Sequence, residues 1–357
     1  MSPDPHEPTS TKLREHVDAK LTRFLAARTD ELVAVSPGLG PLTEVASDLI
    51  AGGKRIRPAF GYWGHVAVSD SGIPEGIWSV LAALEMLHVG VLIHDDVLDS
   101  SDTRRGRPAA HRQFEAWAAV QAIEHPERFG TEIAVLLGDQ LMAWADEMAT
   151  TAELDPQVWA RAARYWYLMR TEVNSGQVLD ICAQYRLSRG DPQQIAWKVL
   201  EEKTSRYTVQ RPLQLGAAIG GADESLQDAL GVFGIALGRA FQLRDDLLGV
   251  FAPSAQTGKP AAGDLREGKR TVLLTRATHN LGNAATELES LLGPGMDDDQ
   301  VERATQLITS SGAVEQLEEM IAADHAAALQ ALDHPGITQT GRIALTELAR
   351  QCVERDS

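Results

Sequence analysis

The chain has almost no cysteine and no long uncharged hydrophobic run. Its 357 residues include only two cysteines, Cys182 and Cys352, and neither lies in a CxxC pair or a Cys/His cluster. Two such residues cannot build a disulfide framework, so we expect a protein of the reducing cytoplasm. The most apolar stretch, residues 79–93, is interrupted by Glu85 and His88, whereas a membrane-spanning helix needs about 18 or more uncharged apolar residues. This pattern predicts no stable membrane insertion.

Basic residues are too few to balance the acidic ones. The chain has 33 Lys and Arg against 50 Asp and Glu, a formal net charge of −17 at pH 7. Nucleic acids and anionic membrane surfaces repel such a chain at long range, so we expect no nucleic-acid partner. Local clusters of positive charge are therefore informative. The first residues lack a basic segment followed by an apolar one, so we expect no signal peptide and a short disordered tail over residues 1–10.

The hydrophobic pattern is helical throughout. Apolar residues recur at three- and four-residue steps, and no alternating strand-like run with hairpin turns is present. The segments with this pattern lie near residues 13–32, 42–50, 77–91, 131–150, 156–186, 192–219, 224–251, 271–291, 300–321 and 340–354. Asp155-Pro156 and Asp191-Pro192 are typical helix starts. Because no shift in composition marks a domain boundary, we predict an all-α, single-domain bundle of ten or more helices over residues 11–357.

The first candidate site is an acidic sequence at the end of the third segment. Asp95 and Asp99 lie four residues apart, so on a helix they share a face, and that face continues the apolar stripe through Val91 and Leu84. Two carboxylates on the buried side of a helix repel each other unless a cation is bound. Oxygen ligands without His or Cys suit Mg²⁺. The alternative is that the helix ends there and water solvates both acids.

Basic clusters flank this acidic sequence on both sides. Upstream, Gly52-Gly53 precedes the run from Lys54 to Arg57, and the glycines allow backbone to approach a ligand. Downstream follow Arg104 and Arg105. Cations next to an acidic motif indicate a site for an anion bridged by Mg²⁺. The alternative for the upstream run is a solvated surface.

A second acidic sequence repeats this arrangement. Leu237, Phe241 and Asp245 step by fours, so Asp245 also emerges from an apolar helix face. A glycine-punctuated basic loop, residues 257–271, follows it. Two such sequences facing each other would hold Mg²⁺ ions around a diphosphate.

These motifs resemble those of the trans-isoprenyl diphosphate synthases, or polyprenyl synthetases, and geranylgeranyl diphosphate synthases among them. They occur in the family's order from residue 52 to residue 271. The matching segments are GGKRIRP at 52–58, LHVGVLIHDDVLDSSDTRRGRP at 87–108, Gly138-Asp139, GQVLD at 176–180, Lys203-Thr204, FQLRDDLLGVF at 241–251 and GKPAAGDLREGKRT at 258–271. The resemblance implies the isoprenoid synthase fold, a helical bundle around a deep central cavity, usually in a homodimer. It also implies condensation of isopentenyl diphosphate with dimethylallyl, geranyl or farnesyl diphosphate.

The resemblance assigns a role to each matching polar residue. The Mg²⁺ ions, three by this expectation, would be held by Asp95, Asp99 and Asp245, with Asp96, Asp102, Asp180 and Asp246 as supporting acids. The allylic diphosphate would be held by Arg104, Lys203, Lys259 and Lys269. Isopentenyl diphosphate would be held by Gly53, Lys54, Arg57, His88 and Arg105. Thr204 and Gln242 would present oxygen atoms to the developing allylic cation.

One departure from the family pattern leaves an alternative open. The second acidic sequence ends in Gly249, where the family has a third aspartate. We expect an active enzyme because the basic loop that completes the site is intact, but a non-catalytic regulatory subunit of a heteromeric synthase is the alternative. A terpene cyclase also uses a DDxxD motif. It needs no isopentenyl diphosphate site, so Lys54, Arg57 and Arg105 disfavour it.

Product length is predicted from the residues before Asp95. Gly90 and Val91, one helical turn earlier, would form the first floor of the cavity for the growing chain, and neither is aromatic. The chain could then extend about 5.4 Å further, one helical turn, to Leu87. That distance is close to one five-carbon unit beyond farnesyl diphosphate. Geranylgeranyl diphosphate is therefore the predicted product, and a farnesyl or longer-chain product is the alternative.

Overall fold

The computed structural model describes residues 3–69, 72–252 and 262–354 and is helical almost throughout. This confirms the all-α prediction. The helices are α1 Thr11–Val35, α2 Gly40–Ile50, α3 Ile56–Val66, α4 Ile77–Leu98, α5 Ala110–Val120, α6 Pro126–Thr150, α7 Pro156–Gln184, α8 Pro192–Val199, a π-helical segment Leu200–Gln210, α9 Arg211–Gly220, α10 Glu224–Phe251, α11 Gly263–Glu267, α12 Val272–Leu281, α13 Ala285–Leu291, α14 Asp298–Ser310, α15 Ala313–Ala331 and α16 Gln339–Val353. Among the described residues the strands are β1 Thr103–Arg104 and β2 Arg107–Pro108, an antiparallel pair.

The chain divides into two compact units. Unit 1 comprises Met1–Tyr62 and Ser71–Trp159, and unit 2 comprises Trp63–Asp70 and Ala160–Ser357. Residues 3–10 precede α1 as turns and loops, with the Glu7 N–H donating to the Asp4 carbonyl at 3.0 Å. The division into a disordered tail over 1–10 and one domain over 11–357 stays a prediction.

Helix α4 forms the core of unit 1. It packs against α1, α2, α5 and α6, and every residue from Val80 to Leu87 is buried. The Trp78 ring stacks on Tyr62 and His16, with ring centroids 5.3 Å and 4.4 Å apart. In the described part of the chain, α4 is the one helix long and apolar enough to cross a membrane, but 72% of its apolar window is buried within the protein. A core helix has this composition because both of its faces exclude water.

Helix α10 has the corresponding place in unit 2. It packs against the π-helical segment, α9, α15 and α16. Gly234 and Gly238 allow the closest of these contacts, because a Cβ on them would lie 2.5 Å from the Cα atoms of Gln210 and Ser205. Real Cβ atoms do not approach that closely. The π-helical segment, which carries Lys203 and Thr204, therefore lies directly on the backbone of α10.

The predicted helix starts are confirmed, and some predicted bounds are wrong. The Asp155 and Asp191 carboxylates accept from the backbone N–H groups of Gln157 and Gln193, at 2.7 Å and 3.2 Å. The segment predicted at 300–321 is two helices, because the chain turns at Gly312, whose φ is 75°. The segment at 271–291 is interrupted in the same way, at residues 282–284. Helices α3 and α5 were not predicted.

Candidate active site

The first aspartate module, Asp95 to Asp99, lies at the end of α4 in unit 1. The helix ends at Leu98, and Asp99 is its C-terminal cap, whose N–H donates to the Asp95 carbonyl at 2.8 Å. Asp95 and Asp99 are half-buried, whereas Asp96 is only 2% exposed. Asp95 and Asp99 are therefore only partly buried: the Asp95 side chain is 17% exposed, and its Oδ1 is shielded from water. The helix ends one turn after Asp95.

Arg104 holds the buried aspartate of this module. Its Nε donates to Asp96 Oδ1 at 2.8 Å, its Nη2 donates to the same oxygen, and the same Nη2 lies 3.6 Å from Asp95 Oδ2. The β1–β2 hairpin positions this side chain, with Gly106 at φ 74° in the turn. Arg104, predicted as an allylic diphosphate ligand, thus contacts both adjacent aspartates. A charge-assisted pair of this kind fixes the orientation of the guanidinium.

A second ion-pair network includes Arg105, which lies in the turn of the hairpin. The buried Glu85 carboxylate accepts from Arg55 Nη1 at 2.7 Å and from Arg105 Nη2 at 3.5 Å. A Cβ on Gly53 would lie 2.6 Å from both Arg55 Nη1 and Glu85 Oε1. Glycine at 53 therefore makes room for the network. Sequence reasoning noted Glu85 only as an interruption of an apolar run, and that interruption is itself the signal of a buried charge with a partner.

The positive charges of four arginines act on His88. Burial of the ring, followed by the positive charges of the arginines, lowers the pKa of His88 well below its ordinary value. In order of effect, these arginines are Arg57, Arg105, Arg104 and Arg55. The imidazole is neutral at pH 7 within a cationic cluster. The structure thus brings together four of the residues predicted to bind substrate diphosphates, and Lys54 next to them is exposed.

Two further motif residues of unit 1 have structural partners. A Cβ on Gly138 would lie 2.3 Å from His94 Nε2, so glycine there accommodates the imidazole, which also lies 3.5 Å from Asp139 Oδ1. Asp102, predicted as a supporting acid, is exposed and accepts from Arg112 Nε at 2.7 Å. These contacts account for both motif positions within unit 1.

The second aspartate module, Asp245 to Gly249, lies near the end of α10 in unit 2 and repeats the pattern of the first. Asp245 is half-buried and Asp246 is 3% exposed. The Gln242 amide donates from Nε2 to Asp246 Oδ1 at 2.8 Å, and the Val272 backbone also hydrogen-bonds to Asp246. Burial raises the pKa of Asp246 well above its ordinary value. Each module therefore has a half-buried first aspartate next to a buried, hydrogen-bonded second one.

At Gly249, where the family has a third aspartate, the side-chain space is occupied by a residue from another segment. A Cβ built on Gly249 would lie 2.2 Å from Asp264 Oδ2 and 2.8 Å from its Cγ. Asp264 belongs to α11, in the described part of the basic loop. Sequence reasoning quoted Asp264 within a motif but gave it no role. The signal was Gly249 itself, since a glycine in a helix interior costs stability unless something needs the space.

Lys203 and Thr204 lie in the π-helical segment. Lys203 Nζ donates to Asp180 Oδ2 at 2.7 Å, which joins two predicted site residues. A Cβ on Gly176 would lie 2.4 Å from the Lys203 backbone nitrogen, so this glycine allows α7 to approach the segment. A π-helical stretch inside a longer helix is frequent at functional sites. Sequence periodicity predicted one continuous helix here and could not show the widened turn.

The basic loop is described only from residue 262. Lys269 Nζ lies 2.5 Å from Glu267 Oε2, and the Lys269 N–H donates to the Asp264 carbonyl at 3.0 Å. Lys259, the other predicted diphosphate ligand of this loop, lies outside the described residues. Lys269 and Asp264 are thus held in one tight turn, with Gly268 at φ 69° between them.

The predicted chain-length floor needs a correction at Gly90. A Cβ on Gly90 would lie 3.0 Å from the Gly138 carbonyl oxygen and 3.1 Å from Met142 Cγ, so position 90 points at α6. Leu87 is 1% exposed, whereas Val91 is half-buried. Of the three predicted floor residues, Gly90 and Leu87 are buried and Val91 is partly accessible. His88 and Asp95, which lie on the same face of α4 as Val91, are also partly accessible. Gly90 serves helix packing.

The aspartates of the two modules suit Mg²⁺, which needs few protein ligands, better than a metal ion that is coordinated by protein side chains alone. Within residues 3–69, 72–252 and 262–354, no three His, Cys, Asp or Glu side chains come together as a metal cage. Mg²⁺ typically binds one or two carboxylates and completes its shell with water and substrate phosphate. Asp95 and Asp99 offer half-buried oxygen donors at the end of a helix, and Asp245 does the same in unit 2. The donor chemistry therefore matches Mg²⁺ held together with a diphosphate.

Comparisons with known proteins agree with this chemistry. Residues 40–309 match the polyprenyl synthetase family. A geranylgeranyl pyrophosphate synthase from Corynebacterium glutamicum, solved with isoprenyl diphosphate and magnesium, has a TM-score of 0.91 and 38% identity, covering 96% of this chain and 99% of that one. A geranylfarnesyl diphosphate synthase of Aeropyrum pernix is 29% identical, covering 85% of this chain and 87% of its own length. A nonaprenyl diphosphate synthase of Mycobacterium tuberculosis is 29% identical, covering 87% and 86%.

The chain therefore belongs to the polyprenyl synthetase family. It is a trans-prenyltransferase with the isoprenoid synthase fold, as the sequence predicted. Members of this family use Mg²⁺ and join isopentenyl diphosphate to allylic diphosphates. The names of the relatives differ in product length, from geranylgeranyl to nonaprenyl.

Proposed function

We propose that this enzyme condenses isopentenyl diphosphate with an allylic diphosphate and that its main product is geranylgeranyl diphosphate. The observation that carries the condensation is the group of arginines whose charges act on His88, in which Arg55 and Arg105 share the buried Glu85 carboxylate at 2.7 Å and 3.5 Å. A terpene cyclase binds one diphosphate substrate and does not need a second diphosphate-binding site. The half-buried Val91, which is not aromatic, supports a product longer than farnesyl diphosphate.

Each site residue has a proposed task. Arg57, Arg105, Lys54 and the backbone at Gly53 bind isopentenyl diphosphate next to the neutral His88. Arg104, Lys203, Lys259 and Lys269 bind the allylic diphosphate. Asp95, Asp99 and Asp245 would hold the Mg²⁺ ions, three in all, and bound Mg²⁺ would supply positive charge that lowers the barrier to C–O cleavage.

The chain's own side chains then control the carbocation. Thr204 and Gln242 present oxygen atoms to the developing allylic cation, and Gln242 is oriented by its hydrogen bond to Asp246. Apolar residues exclude water that would otherwise capture the cation. The isopentenyl double bond attacks the cation, a new carbon–carbon bond forms, and a proton is lost to the released diphosphate. We further propose a cytoplasmic homodimer.

A primer assay tests this function. Purified protein is incubated with Mg²⁺, isopentenyl diphosphate and, in turn, dimethylallyl, geranyl or farnesyl diphosphate, and products are sized by mass. We expect elongation of all three primers to twenty carbons. If none of the three primers is elongated, the proposed condensation is contradicted. A product of another length would contradict only the length assignment.

Arg57→Gln tests which of the two diphosphate substrates binds near His88. We expect it to raise the KM for isopentenyl diphosphate and to leave the KM for farnesyl diphosphate near the wild-type value. The reverse pattern would show that the cluster around His88 binds the allylic substrate.

A further inference from the structure

Arg55 lies within the basic run assigned to isopentenyl diphosphate, but its own side chain is committed to protein acceptors. It is 3% exposed. Its Nη1 donates to Glu85 Oε1 at 2.7 Å, and its Nη2 donates to the Ile50 carbonyl at 2.8 Å. Its Nε donates to Asp18 Oδ1 at 2.8 Å. All three guanidinium nitrogens therefore donate to the protein, so this arginine holds structure rather than a substrate phosphate.

The three acceptors lie on three different helices of unit 1. Asp18 belongs to α1, Ile50 is the last residue of α2, and Glu85 belongs to the core helix α4. The last carbonyls of a helix have no partner within it and attract positive charge. Arg55 therefore joins α1 and α4 to the end of α2, where the glycine-containing loop of residues 51–55 begins.

Arg105 depends on the same acceptors. Its Nη1 donates to the Leu49 carbonyl at 3.2 Å, and its Nη2 donates to Glu85 Oε1 at 3.5 Å. Arg55 and Arg105 each have φ 54°, in the left-handed region that side chains other than glycine rarely adopt. Such a backbone persists only where the surrounding contacts hold it. The end of α2 and the Glu85 carboxylate supply these contacts, so the two arginines are oriented together.

We propose that Asp18 and Arg55 are positioning residues for isopentenyl diphosphate. Asp18 holds the Arg55 guanidinium. Arg55 then holds Glu85 and the end of α2 in the arrangement that orients Arg105 and the backbone of Lys54. The proposal rests on the proposed function, which assigns Arg105 and Lys54 to that substrate. It makes helix α1, which lies outside every motif matched to the family, part of the substrate site.

Variants of the two positioning residues test the proposal. They are Asp18→Asn, Arg55→Lys, the double variant, and Asp30→Asn as a matched control at an exposed position of the same helix. Lysine keeps the buried charge next to Glu85 but lacks the planar fork that reaches three acceptors at once. The Kd for isopentenyl diphosphate is measured by calorimetry without an allylic substrate. The kcat and the KM for farnesyl diphosphate are measured by steady-state kinetics.

The expected effect is confined to one substrate. Asp18→Asn and Arg55→Lys each raise the Kd for isopentenyl diphosphate by about 2–30-fold, the range for residues that act on a ligand without contacting it. The kcat and the KM for farnesyl diphosphate stay near their wild-type values. Because Asp18 acts through Arg55, the double variant binds no more weakly than Arg55→Lys alone. Asp30→Asn matches the wild type.

Three results would overturn the proposal. The first is a wild-type Kd for isopentenyl diphosphate in Asp18→Asn. The second is an additive loss in the double variant, which would show that Asp18 acts without Arg55. The third is an equal loss of affinity for both substrates, which indicates general loss of structure. A wild-type protein that binds isopentenyl diphosphate but elongates no primer would refute the proposed function instead, and the Kd values would still decide the role of Asp18.

Discussion

Arg55 Nη1 donates to Glu85 Oε1 at 2.7 Å, and these two side chains are only 3% and 2% exposed. A buried ion pair is costly to form, yet breaking it by removing one charge is costlier, because the other charge stays behind in the core. The same Glu85 oxygen also lies 3.5 Å from Arg105 Nη2. One carboxylate therefore links a structural arginine to an arginine assigned to isopentenyl diphosphate.

We expect Glu85→Gln to reduce both stability and substrate binding. Loss of the carboxylate removes the buried partner of Arg55 and leaves it paired only with the half-exposed Asp18, whose Oδ1 accepts from Arg55 Nε at 2.8 Å. We expect this to destabilise the fold by about 1–3 kcal/mol. Arg105 loses its orienting partner, so the KM for isopentenyl diphosphate rises. Denaturant unfolding and steady-state kinetics measure the two effects.

Glu132→Gln provides the control for this variant. Glu132 pairs with Arg128 on the exposed face of α6, at 2.7 Å. Exposed pairs of this kind contribute little, so we expect neither stability nor the KM to change measurably. A Glu85→Gln variant as stable as this control would show that the buried network is unnecessary.

Asp95→Asn should reduce turnover by several orders of magnitude and leave the fold intact. Asp95 is half-buried at the end of α4, so the isosteric amide keeps packing and removes only a proposed Mg²⁺ ligand. Turnover at saturating Mg²⁺ and the circular dichroism spectrum measure the two properties. Asp333→Asn is the matched control, since Asp333 is exposed, pairs with Arg342 at 2.9 Å and belongs to neither aspartate module. Near-normal turnover in Asp95→Asn would remove this residue from the metal site.

His88 should make stability depend on pH. Its folded pKa lies well below 6.5, because of burial first and the neighbouring arginines second. Below pH 6.5 the unfolded chain binds a proton that the folded protein does not, so this contribution to stability is complete above pH 6.5 and falls as the pH decreases. Between pH 7.5 and pH 5.5 the contribution of this residue to the free energy of unfolding therefore decreases.

His88→Asn removes that contribution. We expect the free energy of unfolding to fall less between pH 7.5 and pH 5.5 in this variant than in the wild type. Some pH dependence will remain, because burial also lowers the pKa of His111. Equal decreases in the two proteins would show that His88 titrates alike in the folded and unfolded states.

The sequence predicted the helical fold and the positions of both aspartate modules because these features are local. A period of 3.6 residues and the DDxxD spacing are properties of short windows. It could not predict that Asp96 and Asp246 are the buried acids. Their burial depends on Arg104 and on Gln242, whose side chains reach them only in the folded chain.

Contacts across long stretches of sequence account for the other differences. The role of Gly249 depends on Asp264, and the role of Gly53 depends on Glu85. In each case a glycine was visible in the sequence, but the group that fills its side-chain space comes from another element. The same reason explains Gly90, which was expected in a cavity floor and instead packs against α6.

Gly90→Phe should therefore destabilise the protein. A Cβ at this position already lies 3.0 Å from the Gly138 carbonyl oxygen, and a backbone atom inside a helix cannot move aside for a ring. We expect a large decrease in melting temperature, and Gly90→Ala should show a smaller decrease for the same reason. A Gly90→Phe variant that melts like the wild type would show that α4 and α6 separate more easily than their contact indicates.

Val91→Phe is the variant that tests product length. Val91 is half-buried one turn before Asp95, so a larger side chain can be accommodated there without entering the α4–α6 contact. If the growing chain passes this position, the phenyl ring shortens the available space by about one helical turn, 5.4 Å, close to one five-carbon unit. We expect the main product to change from geranylgeranyl to farnesyl diphosphate, with Leu98→Phe on the exposed end of α4 as the control that keeps the wild-type product. Product masses from a dimethylallyl diphosphate primer measure the change, and an active Val91→Phe enzyme with an unchanged product would place the floor elsewhere.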